Sequence, residues 1–395
     1  MLGSLQPHRP LLLAIAGQFI FGVLLALPGT LFGIRGWTGP LGFDIEAQAR
    51  LLVVFFTGQL ACTALAGLLV DRVGCERVLA AGAALLMAGF AALGQADGPP
   101  GGYAAAVLLA TGGASTNAAS NTLVSVSYGG RRGPMLSVMA LFGAVGSLTT
   151  PLVFLGVADL PGVVVRLRVL SVLALALAVL PLLGPVTRPV STRHSPVATL
   201  GLLRDPWLAG LVLLLALDFG VEAVLAGWTG AYAISILPGV SSGFVIALYW
   251  SGLCAGRLLA PWVLVRSPKL VVVLGGSLLV AASVGGMAMT TTLPLLVVAV
   301  TAAGFGIGPL APTIVAVAGD RYPQRTGAVL GLLLSLAQVG GMLLPWVLAR
   351  VATASSLRVA LLVPLGGALG IAAGAALTWR QRAAKAALIR RADLL

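Results

Sequence analysis

The chain has 395 residues, 59% of them hydrophobic and only 9% charged, against about 25% charged in a soluble domain. That mixture excludes an ordinary soluble enzyme and belongs in lipid. The net charge of +13 is not that of a nucleic-acid binder, because the basic residues fall in short breaks between apolar runs and form no separate basic segment.

A membrane-spanning helix takes ~20 mostly apolar residues. Backbone groups in hydrocarbon must be bonded within their own segment, so the apolar runs are helices. The short alternating segments of a barrel are absent. The expectation is an all-α integral membrane protein with twelve helices, near 11–34, 48–70, 78–95, 103–127, 134–158, 163–185, 208–236, 242–265, 269–290, 293–318, 326–349 and 356–379. The first run is too long for a signal-peptide core and lacks a cleavage site, so it stays as a helix.

Most of the 24 Lys and Arg fall on one side of this pattern, from Arg9, Arg72, Arg77, Arg131 and Arg132 through to Arg390 and Arg391. Arg35, Arg50, Arg166, Arg168, Arg350 and Arg358 fall on the other. The bias puts both termini in the cytoplasm. Residues 186–206, rich in Pro, Ser, Thr and Arg, read as a cytoplasmic linker between a six-helix bundle over 1–185 and a second over 207–380. The basic tail, 381–395, suits anionic lipid headgroups.

One offset of 194 residues aligns two separate regions without gaps: Phe56 with Trp250, Gly58 with Gly252, Arg72 with Arg266, then Gly112 with Gly306, Gly133 with Gly327, Gly146 with Gly340 and Pro151 with Pro345. Six helices per half preserve orientation. The halves are then parallel repeats about an axis along the membrane normal, with solute bound between them.

After the second helix stands GLLVDRVGCERV, Gly67 to Val78. Gly67 allows a neighbouring helix to approach, Asp71 accepts from helix amides or an arginine, and Gly74 permits a tight turn. With Arg72 and Arg77, this segment resembles the signature loop of the major facilitator superfamily, although Cys75 and Glu76 replace its usual basic pair. A finer resemblance is to the fucose-permease-like branch of sugar and proton symporters. It is carried by GGASTNAASNTLVSVSYGGRRG, with Asn117 and Asn121, by GVEAVLAGWTGAY, and by GFGIGPLAPTIVAVAGDRYPQRTGAVLG. The resemblance implies a secondary active transporter working by alternating access. Asn117 and Ala140 stand where members of the branch often have a carboxylate and a histidine, so coupling through those positions is lost.

What remains for coupling is Asp218, Glu222 and Arg257. Ionisable groups at bilayer depth are expensive and mark solute or proton paths by default. The two acids share a face at i, i+4. Counting ~1.5 Å per residue, depth matches Asp218 to Arg257 as an ion pair and leaves Glu222 to carry the proton; the plain alternative is a structural pair fixing the seventh and eighth helices. Gln18, Gln59, Asn117, Asn121, Trp250 and Gln338 are candidates to line the solute cavity, with Trp250 able to stack on a sugar ring. The amides would serve equally as interhelical glue. Trp37, Trp207, Trp346 and Trp379 fall near helix ends, as interface anchors do.

Cys62, Cys75 and Cys254 make neither a disulfide framework nor a metal site, and no phosphate cradle or nucleophile–histidine pair is present. The expectation is a monomeric, non-enzymatic carrier in a bacterial inner membrane, without cofactor, powered by the proton gradient and contacting a small-molecule solute and membrane lipids. Symport of a sugar or similar small polar solute comes first. Efflux of amphipathic compounds by proton antiport and a non-transporting sensor are the alternatives.

Overall fold

The computed structural model describes residues 8–128, 132–187, 201–322 and 326–392. In chain order the long helices are α1 (Arg9–Phe32), α2 (Ile45–Val73), α3 (Cys75–Leu93), α4 (Pro99–Ser127), α5 (Arg132–Val153), α6 (Leu160–Val179), α7 (Pro206–Ile236), α8 (Ser242–Arg266), α9 (Lys269–Met289), α10 (Leu293–Ile307), α11 (Leu310–Arg321), α12 (Thr326–Ala354) and α13 (Leu362–Ala392). No strand occurs among the described residues.

Three expected helices are interrupted, each beside a proline that removes one backbone donor. The sixth tightens into a 3-10 turn, Leu180–Leu183, around Pro181. The tenth breaks at Gly308–Pro309 into α10 and α11. The twelfth begins as Leu357–Ala360 and restarts at Leu362, where Pro364 cannot bond back to Ala360. Helix α13 then continues to Ala392, so the expected tail is helical up to that point. Residues 188–200 of the expected linker, with His194, and Arg131 of the Arg-Arg-Gly lie outside the described residues.

Eleven described stretches are long and apolar enough to cross a membrane. The long helix outside that set is α4, whose 29 uncharged residues carry Thr111, Ser115, Thr116, Asn117, Ser120, Asn121 and Thr122. Its polarity goes inward: Thr116 and Ser120 are fully buried.

One apolar core gathers Leu215, Tyr249, Val280, Val300 and Ile371 from α7 to α13; another gathers Leu24, Leu86, Phe90 and Leu167 from α1 to α6. The cores meet where α1 packs on α7, α2 on α12 and α5 on α8. A Cβ at Gly29 would run into the Ala226 carbonyl oxygen, and Gly341 lies against the Phe56 ring. Nearby, Arg350 at the end of α12 pairs with Glu46 at the start of α2, 3.3 Å away. These crossings lie toward the C-terminal ends of α1, α7 and α12. Toward the other end of α2, Gly67 faces open space in this conformation, so the neighbour it was expected to admit is not against it.

The glycines spaced by 194 make matching contacts. Gly112 presses α4 on the Gly82 carbonyl of α3, and Gly306 presses α10 on the Gly276 carbonyl of α9. Gly146 brings α5 onto the Phe19 carbonyl of α1, as Gly340 brings α12 onto the Ala216 carbonyl of α7. Small residues serve here because lipid tails give helices no hydrophobic reason to associate, and backbone contact must come from close packing. One tryptophan departs from expectation: Trp37 is 1% exposed and stacks on Phe43 at 4.7 Å, a core residue and not an interface anchor. Trp346 and Trp379 are exposed.

Candidate functional site

Helix α7 starts at an Asp205 cap, whose carboxylate accepts from the Trp207 amide at 2.9 Å. Three turns on, the Ala216 carbonyl and Gly220 are both pressed against Gly340 of α12. Asp218 stands between them and is sealed completely, with 0% exposure. Neither of its carboxyl oxygens has a hydrogen-bond partner among the described residues.

Arg257 pairs with Glu222 and not with Asp218: its Nη2 lies 3.8 Å from Glu222 Oε2, the two side chains being 25% and 18% exposed. This reverses the partner that the depth count gave. Counting rises along the backbone places Cα atoms, whereas helical side chains lean toward their own N-terminus. Because α8 runs opposite to α7, the long Arg257 side chain leans toward the C-terminal part of α7, where Glu222 lies one turn beyond Asp218. The contact exceeds hydrogen-bonding distance, and Arg257 Nε has no partner among the described residues. The Gly308–Pro309 break sits directly against this arginine: a Cβ at Gly308 would stand 3.1 Å from the Arg257 amide nitrogen.

Tyr249 completes the cluster, and sequence reasoning missed it. It is 0% exposed, its hydroxyl has no partner among the described residues, and it stands two turns before Arg257 on α8. The available signal was its spacing, with Tyr249, Leu253 and Arg257 at successive fours along α8. Trp250 is 2% exposed, lies edge-on to Tyr249 with ring centroids 5.4 Å apart, and its indole nitrogen is unpartnered among the described residues.

In the first half the structure joins three candidate amides. Asn117 Oδ1 accepts from Gln18 Nε2 at 2.7 Å and from Asn121 Nδ2 at 2.8 Å, tying α1 to α4. Gln59 is 2% exposed, with its amide nitrogen packed beside Gly113 and unpartnered among the described residues. Gln338 is half-buried on α12.

The signature loop makes its turn at Gly74, φ +98°, a conformation that favours glycine. Asp71, Arg72 and Arg77 are exposed, and Asp71 has no partner among the described residues. Cys75 begins α3 and does not lie in a loop; all three cysteines are free. Glu76 carries a contact the sequence did not reveal. It is 1% exposed, accepts from the Thr187 amide at 2.6 Å and hydroxyl at 2.8 Å, and lies 3.9 Å from Arg9. In the second half, Asp205 accepts from the Tyr322 hydroxyl.

A sequence model described as the Major Facilitator Superfamily matches residues 11–345. Among solved structures, a single-residue mutant of the nucleoside transporter NupG is similar with a TM-score of 0.78 at 14% identity, over 93% of this chain and 99% of that one. The transporter FucP in its outward conformation gives 0.65 at 18% identity, over 93% and 98%. A single-residue mutant of the E. coli fucose:proton symporter FucP gives 0.65 at 17%, over the same shares. No curated protein matches the chain.

Proposed function

The chain belongs to the major facilitator superfamily and is a multi-pass membrane transporter of a small-molecule solute, and from that premise we propose that it is a proton-coupled symporter whose proton is carried by Asp218. The observation carrying this reading is the sealed carboxyl of Asp218, without a partner among the described residues, one turn from an ion pair that holds Arg257 away from it. An unpaired carboxylate in such a place costs several kcal/mol, whereas a neutral carboxylic acid fits it. Release of that proton would create an anion next to a loosely held arginine, a change large enough to shift helix packing. The depth count assigns the proton to Glu222 on the basis that Arg257 pairs elsewhere; with Arg257 on Glu222, that basis passes to Asp218.

In this reading the chain crosses the membrane twelve times, α4 included, as two parallel six-helix halves joined by the linker, with both termini cytoplasmic. The matching glycine contacts at an offset of 194 support the repeat. The solute is sugar-like, held between Gln18, Gln59, Asn117 and Asn121 on one side and Trp250 and Gln338 on the other. The fold neighbours named as a nucleoside transporter and a fucose:proton symporter fit a ring rich in hydroxyls. The carrier works as a monomer in a bacterial inner membrane, among lipids, with the proton gradient in place of any cofactor.

The test is accumulation by proteoliposomes under an imposed pH gradient, with fucose and uridine as probes. Wild type should concentrate a probe and lose it when the gradient is collapsed. Asp218→Asn should abolish accumulation while leaving counterflow exchange. Gradient-driven accumulation by the Asp218→Asn protein would sink the proposal.

A further inference from the structure

The three charged groups of the second half are not equally accessible. Asp218 is sealed, whereas the Glu222 and Arg257 side chains keep 18% and 25% of their surface. What reaches Glu222 is not lipid: every other residue of α7 from Gly220 to Gly230 is buried, so the carboxylate opens onto a space inside the bundle. The halves meet toward the C-terminal ends of α1, α7 and α12 and leave Gly67 of α2 facing open space. That end gives a solute its way in.

The pair is also incomplete. Arg257 Nη2 and Glu222 Oε2 stand 3.8 Å apart, beyond hydrogen-bonding distance, and neither side chain makes a hydrogen bond among the described residues. An oxygen seated between these two atoms, about 2.8 Å from each, bonds to both at normal lengths. It has to accept from a guanidinium and donate to a carboxylate, and a hydroxyl does both. An anionic group on the solute would satisfy the arginine but meet the charge of Glu222, and a cationic group would meet that of Arg257. The carboxylate has a second oxygen and the guanidinium a second terminal nitrogen, so a hydroxyl on the adjacent carbon is served by the same two groups. The root of the arginine is fixed meanwhile: a Cβ at Gly308 would stand 2.6 Å from the Leu253 carbonyl oxygen and 3.1 Å from the Arg257 amide nitrogen. The break between α10 and α11 therefore holds the backbone while the tip stays unbonded.

We propose that Glu222 and Arg257 bind the solute directly, as the recognition site for two adjacent hydroxyls on a neutral sugar-like ring. The ion pair then sets specificity, and the proton stays with Asp218, one turn away on α7. The solute bridges α7 and α8 where the protein alone leaves the two side chains unbonded. A ring that lacks one of the hydroxyls leaves a charged group without its partner, and a site built on such contacts rejects the deoxy analogue strongly.

This inference rests on the sugar-like solute proposed above but not on the proton assignment, so accumulation by Asp218→Asn would overturn that assignment and leave the hydroxyl site standing. The test is equilibrium binding to the purified, detergent-solubilised protein at constant pH, without a gradient. The probes are uridine and fucose, each beside an analogue that lacks one hydroxyl of the adjacent pair, 2′-deoxyuridine and 3-deoxyfucose. Wild type should bind at least one full sugar about tenfold more tightly than its analogue. Glu222→Gln, which keeps the shape, and Arg257→Lys, which keeps the charge without the fork, should each erase that preference while binding the analogue as wild type does. Binding of neither sugar by wild type would remove the sugar-like reading and this inference with it. An analogue bound by wild type as tightly as its sugar, a preference that survives both substitutions, or an equal loss of sugar and analogue in both variants would make the pair structural and overturn this inference alone.

Discussion

Around α1 and α4 three amides share their hydrogen bonds: one acceptor, Asn117 Oδ1, takes two donors, and the group is neutral, with Gln18 buried and both asparagines half-buried. Around α7 and α8 three charges and a phenol are bonded less: Asp218 and Tyr249 are sealed and without a partner among the described residues, while Glu222 and Arg257 are half-buried and meet only at 3.8 Å. The first arrangement is near its best already and gains nothing by moving. The second is unsatisfied in the conformation seen, and a change of protonation gives it somewhere to go. The difference teaches that polar content in a membrane core does not by itself indicate coupling; incomplete partnering does.

The sharpest way to break this comparison is to remove one charge from each kind of position on α7 and α8. Arg257→Met leaves Glu222 beside Asp218 with no base, and stranding one partner of this half-buried pair costs about 1–3 kcal/mol. Thermal melting in detergent should fall by several degrees. Asp218→Asn removes the group without a partner and should melt near wild type while losing coupled transport. Equal stability of the two variants would mean that the ion pair contributes nothing and that the cluster is not organised as described.

Asn117→Ala tests the satisfied network. It strands the donors of Gln18 and Asn121, which water reaches in part, for an expected loss of about 1–2 kcal/mol. Because those groups are neutral, the loss should be the same at pH 5 and pH 8. A pH-dependent loss in melting temperature would show that this side also carries charge.

The smallest effect contrasts the two anchors at the ends of the expected linker. Glu76 is buried and holds Thr187 in the first half; Asp205 is more open and holds Tyr322 in the second. The hydrogen bond from Tyr322 keeps the Asp205 carboxyl below its usual range, with the Trp207 amide adding to it, while the Tyr322 phenol is pushed up to about 12, by burial first and then by Asp205. A depressed carboxyl contributes stability above its unfolded value, about 3.9, and loses it as pH falls through the folded one. Tyr322→Phe should therefore lower stability by about 0.5–1 kcal/mol at neutral pH, and the difference should narrow as pH falls through the folded Asp205 value. A difference that does not narrow on acidification would place the effect in packing.

Composition and apolar run length were enough to predict membrane helices, because lipid admits no other uncharged backbone arrangement for a chain of this kind. The signature loop with Gly74 at its turn, the offset of 194 and the isolation of Asp218, Glu222 and Arg257 among apolar neighbours were all legible as well, since each is a matter of residue type and spacing along one chain. Tertiary structure decided the rest. Which acid Arg257 meets depends on two antiparallel helices and the lean of their side chains, so counting along either helix chose the wrong one. Tyr249 is sealed only because the helices of the second core close around it, Trp37 is a core residue only because Phe43 folds back onto it, and Glu76 meets Thr187 across 111 residues. The breaks at Pro181, Pro309 and Pro364 stand between these cases: the prolines are visible in the sequence, but packing decides whether a helix bends, tightens or restarts.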